Sequence, residues 1–174
     1  MTVDFFQKIV YNKVTRLREK GVKKMTRAIY FDMDGTIADL YAVEGWLEAL
    51  RAEYTKPYRE AKSLLNMRAL GRELNRLQEA GYVIGIVSWA SKQATEDYLA
   101  RIEKAKIAWL MNHLGAVNFD EIHVVEYGTP KRSVVEFPNG ILFDDEEKNR
   151  KEWDLGDGMA FDVENILEIL RCMK

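Results

Sequence analysis

Two aspartates separated by a single residue, Asp32 and Asp34, follow the apolar run 28–31 and precede Gly35 and Thr36. Carboxylates this close repel one another, and a hard dication with oxygen ligands relieves the repulsion. Mg²⁺ is the usual dication where phosphate is the partner, because it keeps its own waters and bridges phosphate oxygens. The glycine permits a tight turn directly after the apolar run. This motif therefore predicts a magnesium site that serves phosphate chemistry.

Four polar residues further along the chain supply what such a site still needs. A third carboxylate, from Asp144 or Asp145, would complete the metal site. The ammonium of Lys131 and the hydroxyl of Ser88 are the kinds of group that stabilise a transferring phosphoryl group. Arg132 is an alternative to Lys131, which is favoured because it follows a Thr-Pro pair that is typical of a loop.

The same residues also have plainer interpretations. An Asp-x-Asp-Gly sequence is often only a turn, and the acidic run 144–147 is also typical of a helix N-terminus, where it favours the helix dipole. In the run 144–147, binding a metal and opening a helix are compatible roles. Ser88 and Ser91 compete as the cap of the following helix. His113 and His123 have no metal-ligand spacing and are predicted to be structural.

The elements that must position these residues are short β-type runs that alternate with helical stretches, a pattern typical of a parallel sheet built from βαβ units. The predicted strands lie at 28–31, 83–87, 121–125, 141–143 and 159–161. Ligands bind at the carboxyl ends of strands in such sheets, where the connecting loops meet. The predicted fold class is therefore α/β, with a doubly wound, mostly parallel, Rossmann-like sheet whose carboxyl edge carries the polar residues.

Apolar residues at helical spacing predict the elements between and after the strands. One helix is predicted over 59–80, and Gly81 is suited to end it. One or two helices are predicted between 91 and 115, and a closing helix over 163–173. These helices would cover the faces of the sheet.

The domain organisation is predicted to be a single core with small additions. Residues 1–26 would form an amphipathic helical appendage that packs on the domain or on a second copy of the chain. Residues 27–174 would form the core, in which 39–58 is a minimal cap with room for one helix. With so small a cap the pocket is expected to be open, which permits bulky or macromolecular phosphoesters as well as small ones.

The composition is that of an ordinary soluble globular domain, with 47% apolar and 31% charged residues in 174. A formal net charge of -2 gives no global attraction to nucleic acid or to anionic membranes. Cys172 is the only cysteine, so no intramolecular disulfide can form, and no apolar run is long enough to span a bilayer. We therefore expect a cytoplasmic protein that does not bind membranes, with nucleic acid an unfavoured partner.

The order of these residues resembles the four motifs of the haloacid dehalogenase-like (HAD) superfamily over about residues 28–162. The motifs are Asp32-Met-Asp34-Gly-Thr36, Ser88 at a strand end, Lys131, and Asp144-Asp145 at another strand end. By this resemblance, Asp32 is the nucleophile that forms an aspartyl-phosphate. Asp34 would protonate the leaving oxygen and then activate water.

The resemblance also implies the binding residues and the reaction. The residues implied to hold Mg²⁺ are Asp32, Asp34 through its backbone carbonyl, Asp144 and Asp145. The residues implied to bind the phosphoryl group are Ser88, Lys131, Gly35 and Thr36. The dehalogenase and phosphonatase branches lack an aspartate at the place of Asp34, so the resemblance predicts a phosphatase, a Mg²⁺-dependent hydrolase of phosphomonoesters.

A nucleoside monophosphate is the first predicted substrate, since the second half of the chain looks like the 5'-nucleotidase and deoxyribonucleotidase branch and its phage relatives. The residues that carry this likeness are Lys106-Ile-Ala-Trp109-Leu110, Phe143, Asn149 and Trp153. Several aromatic residues near the predicted mouth either stack on a base or form the core of the cap. They are Tyr41, Trp46, Tyr54, Tyr58 and Trp89.

Other functions on a similar sheet remain as alternatives. A response-regulator-like receiver carries its phosphorylated aspartate after the third strand, where this chain has Glu126-Tyr-Gly-Thr. A catalytically silent HAD-like phosphate-binding or interaction module is less expected, because such a site has no reason to keep several mutually repelling acids. A polynucleotide phosphatase is the remaining alternative.

Overall fold

The computed structural model describes residues 27–173, and its strands form two sheets. The strands are β1 (Ala28–Phe31), β2 (Ala38–Asp39), β3 (Lys62–Ser63), β4 (Val83–Trp89), β5 (Glu121–Val125), β6 (Ile141–Phe143) and β7 (Met159–Phe161). The larger sheet is parallel, in the order β5-β4-β1-β6-β7, and β2 pairs with β3 in an antiparallel ribbon. The amphipathic helix predicted at 1–26 lies outside the described residues.

Helices alternate with these strands along the described part of the chain. The α-helices are α1 (Trp46–Arg51), α2 (Lys56–Glu60), α3 (Met67–Glu79), α4 (Glu96–Leu114), α5 (Glu147–Asp154) and α6 (Ile166–Cys172). Short 3₁₀ turns occupy Leu40–Ala42, Lys131–Ser133 and Val163–Asn165. Over 27–173, no helix combines the length and the apolar character that crossing a bilayer demands.

The strand order determines where the sheet can bind a ligand. From β1 the chain first moves to one side, through β4 to β5, and then crosses to β6 and β7 on the other side. The loops that leave β1 and β6 therefore run in opposite directions, and a crevice opens between their carboxyl ends at this topological switch point. Asp32 follows β1 and Asp144 follows β6, so both lie at that crevice.

The two faces of the parallel sheet bury different side chains, as the alternation of side chains along a strand requires. Ile29 and Phe31 belong to a core cluster that includes apolar residues of α3, α4 and α6. Tyr30 belongs to a second cluster with Trp153 of α5, whose ring centroid lies 5.8 Å away. Helices therefore cover both faces, and the predicted doubly wound α/β fold is confirmed.

The helix predicted over 59–80 is wrong in its first part. Residues 62–63 form β3, which pairs with β2, and the Leu64 N–H donates to the carbonyl of Ile37 at 3.0 Å. The helix α3 begins only at Met67, where the Asn66 side chain accepts from the Ala69 N–H at 3.0 Å and caps the first turn. The helical spacing of apolar residues extends through residues 62–63, but the structure of these residues depends on their pairing with residues 38–39.

The other predicted elements differ from the structure only in their bounds. The stretch between 91 and 115 contains one helix, α4, and β4 continues past the predicted end at 87 to Trp89. The closing segment begins with a 3₁₀ turn at Val163–Asn165 before α6. Asp162 accounts for this start, because its carboxylate accepts from the Val163 N–H.

Candidate active site

Asp32 and Asp144 extend the strands that precede them and meet at the carboxyl edge of the sheet. The Asp32 N–H donates to the carbonyl of Phe143 at 2.9 Å, so its backbone continues the β1–β6 pairing. Lys131 lies between the two carboxylates, with its Nζ 2.8 Å from Asp32 Oδ1 and 2.6 Å from Asp144 Oδ2. Residues separated by more than one hundred positions thus converge on a single ammonium group.

Asp145 completes a cluster of three carboxylates with Asp32 and Asp144. Each offers one oxygen, and the three oxygens lie within 4.8 Å of one another. Burial and the neighbouring charges of Asp32 and Asp144 raise the pKa of Asp145 to about 7. Burial likewise raises the pKa of Asp144, although Lys131 opposes this effect. Three hard oxygen donors that repel one another are a donor set suited to a dication such as Mg²⁺.

Lys131 is the cation of this cluster, and only 4% of the residue is exposed. Burial alone would lower the pKa of Lys131, but the charges of Asp32 and Asp144 outweigh it and raise that pKa above its usual value. Lys131 therefore stays protonated at neutral pH. Arg132, the alternative cation, does not line the cleft above the cluster among the described residues, and its guanidinium lies against Gly156.

The orientation of Asp144 is fixed by donors from the start of α5. The Glu146 N–H donates to Asp144 Oδ1 at 2.9 Å, and the buried Asn149 amide lies 3.2 Å from both carboxylate oxygens. Arg150 donates to the backbone carbonyls of Asp144 and Asp145 at 2.8 and 2.6 Å. The acidic run at 144–147 thus leads into α5 and also places the Asp144 carboxylate in the site. The helix-terminus interpretation and the site interpretation of this run are compatible.

Gly35 and Thr36 connect the turn after β1 to Asp145. The Thr36 hydroxyl accepts from the Asp145 N–H at 3.2 Å and lies 3.4 Å from Asp145 Oδ1, to which it donates. Gly35 has a φ of +78°, and a Cβ built on it would overlap Asp145 Oδ2. The positive φ and the close approach of the Asp145 side chain therefore both favour glycine at this position. Binding of phosphate by Gly35 and Thr36 stays a prediction.

Gly35→Ala is expected to destabilise the protein by about 3 kcal/mol, from the cost of a left-handed alanine plus steric overlap. Gly45→Ala is the matched control, because Gly45 also has a positive φ of +66° but a Cβ there meets nothing within 4 Å. The control should lose only about 1 kcal/mol. Urea unfolding of both variants measures the difference, and equal losses would exclude the close approach to Asp145.

Asp34 belongs to a second group of polar side chains, with Ser88 and Lys106. The Lys106 ammonium donates to Asp34 Oδ2 at 2.7 Å, to Ser88 Oγ at 2.8 Å and to the carbonyl of Trp89 at 2.8 Å. The Asp34 side chain remains 15% exposed, whereas that of Lys106 is only 1% exposed. Burial raises the pKa of Asp34 above its usual value although the ammonium opposes this effect.

Lys106 was not predicted as a site residue, although the sequence contains a signal for it. The position lies on the buried face of α4, among Ile102, Ala105, Trp109 and Leu110. A lysine on an apolar helix face is costly unless a partner neutralises it. A charged residue that interrupts such a face therefore indicates a buried acidic partner, here Asp34.

A cleft of about 950 Å³ opens above these groups, between the core and the residues 40–58. Asp32, Asp34, Ser88 and Lys131 lie among its lining residues. Two aromatic pairs contribute to its walls, Tyr41 with Trp46 at 5.1 Å and Trp89 with Tyr127 at 4.8 Å between ring centroids. Arg51 and Lys92 are exposed cations that also line it. The cleft therefore offers flat aromatic surfaces beside the acidic floor.

The one helix predicted within 39–58 corresponds to α1, and the predicted cap segment 39–58, which also contains the start of α2, is joined to α4 by specific contacts. Glu53 accepts from the Thr95 hydroxyl at 3.1 Å and pairs with Arg101 at 3.3 Å. The Tyr98 hydroxyl donates to the carbonyl of Tyr54 at 3.0 Å. These contacts join the segment to the core, and the segment forms one wall of the cleft.

The aromatic residues near the mouth differ in their position relative to the cleft. Tyr41, Trp46 and Trp89 line the cleft, whereas Tyr54 is 64% exposed and lies outside its lining. Tyr58 also lines the cleft but is only 3% exposed, because it packs in the core between the cap and α4.

Neither histidine belongs to the carboxylate cluster in the described part of the chain, and each makes a contact elsewhere. His113 stacks on Trp109 at 4.1 Å between ring centroids. His123 Nε2 lies 2.8 Å from Glu121 Oε2. The first contact lies within α4, and the second lies within β5.

No model of a known protein family matches this chain, and no curated protein matches it. Among solved structures, it is similar to D,D-heptose 1,7-bisphosphate phosphatase from Burkholderia thailandensis, at 14% identity and a TM-score of 0.47 over 76% of this chain and 75% of that one. It is also similar to a HAD family enzyme from Bacteroides thetaiotaomicron, at 12% identity and a TM-score of 0.48 over 80% of this chain and 94% of that one.

Proposed function

We propose that this protein is a Mg²⁺-dependent phosphomonoester hydrolase of the HAD-like type, which acts through an aspartyl-phosphate on Asp32. The observation that carries the proposal is the arrangement around Lys131, whose ammonium lies 2.8 Å from Asp32 and 2.6 Å from Asp144. The third carboxylate, Asp145, stands beside them. A nucleophile, a buried cation and a set of hard oxygen ligands thus meet at the switch point of the sheet.

The reaction is a double displacement in which the protein supplies the nucleophile and the acid. A carboxylate oxygen of Asp32 attacks phosphorus, and the bond from phosphorus to the leaving oxygen breaks as Asp34 gives that oxygen a proton. Asp34 then takes a proton from a water molecule that attacks the phosphorus of the aspartyl-phosphate. The bond from phosphorus to Asp32 breaks, which releases inorganic phosphate and restores the Asp32 carboxylate and the protonated Asp34.

The charges in the site serve this transfer. Lys131 and the Ser88 hydroxyl donate to the phosphoryl oxygens, where negative charge must be stabilised in the transition state. Asp32, Asp144, Asp145 and the backbone carbonyl of Asp34 would hold Mg²⁺, which neutralises charge on the phosphoryl oxygens when it is bound. The fixed orientation of Asp144 by Glu146 and Asn149 prepares that site in advance.

The proposed substrate is a nucleoside monophosphate. The supporting observation is the pair of aromatic walls formed by Tyr41 with Trp46 and by Trp89 with Tyr127. A base is flat and stacks on such rings, with stacking energies of about 1–3 kcal/mol per base. The volume of about 950 Å³ accommodates a nucleoside in addition to the phosphoryl group.

The proposal is tested by phosphate release from a nitrophenyl phosphate and a panel of nucleotides, with Mg²⁺ and with chelator. Turnover is expected only with metal, and Asp32→Asn is expected to reduce it by roughly 1,000-fold or more because an amide is a poor nucleophile. The control is Asp157→Asn, at an exposed position outside the cleft lining. Turnover that survives in Asp32→Asn would remove the nucleophile, and no turnover of any phosphoester by the wild type would favour the silent module.

A further inference from the structure

Lys106 is a buried ammonium for which the reaction described above has no use. A lysine ammonium has three protons to donate and no lone pair. All three find acceptors here, at Asp34 Oδ2, Ser88 Oγ and the carbonyl of Trp89. The ring of Tyr58, from α2 of the cap segment, lies 5.1 Å from the ammonium and covers it. Lys106 is therefore held at one place, between two groups that face the cleft.

The hydrogen bond to Ser88 determines the direction of its hydroxyl proton. A serine hydroxyl donates once and accepts twice, and Lys106 cannot accept. Because Ser88 Oγ accepts from Lys106 at 2.8 Å, its own proton must point elsewhere. Ser88 is fully buried at the floor of the cleft that it lines, so this proton can reach an oxygen of a phosphoryl group only when that group enters the floor of the cleft.

The ion pair with Asp34 has a parallel effect on the proposed acid. Lys106 holds Oδ2 of this carboxyl at 2.7 Å, which leaves Oδ1 to carry the proton for the leaving oxygen. The other cation, Lys131, pairs with Asp32 and Asp144 instead. Asp34 thus has its own counter-charge, separate from the carboxylate cluster.

We propose that Lys106 is a positioning residue for phosphoryl transfer, which orients Asp34 toward the leaving oxygen and the Ser88 hydroxyl toward the phosphoryl group. This inference rests on the proposed phosphohydrolase function. A purely structural role explains the ion pair less well, because two apolar residues in place of Lys106 and Asp34 could pack equally well. Asp34 cannot be replaced in this way if it is the acid, and Lys106 is then needed as its partner.

Lys106→Met is the direct test, since methionine fills similar space without charge or donors. We expect kcat/KM for a nucleoside monophosphate, a poor leaving group, to fall roughly 100-fold, and that for nitrophenyl phosphate, which needs little protonation, to fall only roughly tenfold. Inhibition by inorganic phosphate should weaken about tenfold through the misdirected Ser88 hydroxyl. The matched control is Lys104→Met on the exposed face of the same helix, which should behave as the wild type.

Lys106→Arg keeps the test decisive if the methionine variant does not fold. Its charge retains the pair with Asp34, but the wider guanidinium cannot serve all three acceptors. The ratio of the two kcat/KM values should then stay near that of the wild type while phosphate inhibition weakens. Equal losses on both substrates in a folded Lys106→Met variant, or unchanged phosphate inhibition in Lys106→Arg, would overturn the inference. Turnover that survives Asp32→Asn would instead overturn the proposed function itself.

Discussion

Lys131→Met is expected to reduce phosphate release by roughly 1,000-fold, because one buried cation serves both the nucleophile and the phosphoryl oxygens. The ammonium bridges Asp32 and Asp144, of which Asp144 is fully buried. Without it, two carboxylates face each other with no counter-charge, and the nucleophile loses its orientation. Steady-state turnover of nitrophenyl phosphate at saturating Mg²⁺ measures the loss.

The same variant should be less stable by about 3 kcal/mol, the cost of breaking a buried ion pair from one side. Urea unfolding in the presence of chelator measures this change. Added Mg²⁺ should restore part of the stability of Lys131→Met but not its activity, since a dication can neutralise the carboxylates without replacing a phosphoryl donor. The control is Lys148→Met on the exposed surface of α5. Wild-type turnover in a folded Lys131→Met variant would refute the role of this residue.

Asp34→Asn is expected to separate the two halves of the reaction. With nitrophenyl phosphate, whose leaving group needs no proton, transfer to Asp32 should still occur and release about one nitrophenolate per site in a burst. Hydrolysis of the aspartyl-phosphate should then slow by roughly 100- to 10,000-fold, because no base activates water. Stopped-flow absorbance records both phases.

A nucleoside monophosphate should give no such burst in Asp34→Asn, because its leaving oxygen requires the acid that has been removed. Asp157→Asn is again the control, and it should turn over without a burst of this kind. A steady rate with nitrophenyl phosphate equal to that of the wild type would argue against Asp34 as the base.

The parallel sheet and the meeting of acids at its edge were predictable because both depend on local pattern. Strands such as Glu121–Val125 and Ile141–Phe143 are short runs rich in β-branched and other apolar residues, and the structure places them at the predicted bounds. Once the strands are parallel, the residues after β1 and β6 must lie on one edge. Asp32 and Asp144 are brought together for this reason.

What sequence reasoning missed depends on contacts between distant positions. Lys62–Ser63 has little strand character of its own and is ordered by pairing with Ala38–Asp39, which broke the predicted helix. Lys106 follows the helical spacing of α4, while its partner Asp34 lies 72 positions earlier in the chain. The pairing of β2 with β3 leaves no mark in a local window, and a lysine on the apolar face of α4 indicates an acidic partner without identifying it, since both pairings are set by the tertiary fold.

The most direct test of the account is to identify the phosphorylated residue. Enzyme quenched with acid during turnover and then reduced with borohydride should carry homoserine in place of aspartate at position 32, since an acyl phosphate is reduced to the alcohol. Mass spectrometry of the peptide that begins at Ala28 locates the change. The account predicts homoserine at residue 32 with Mg²⁺ and substrate, and none with chelator. Unmodified Asp32 during active turnover, or modification at Asp34 or Asp144 instead, contradicts it.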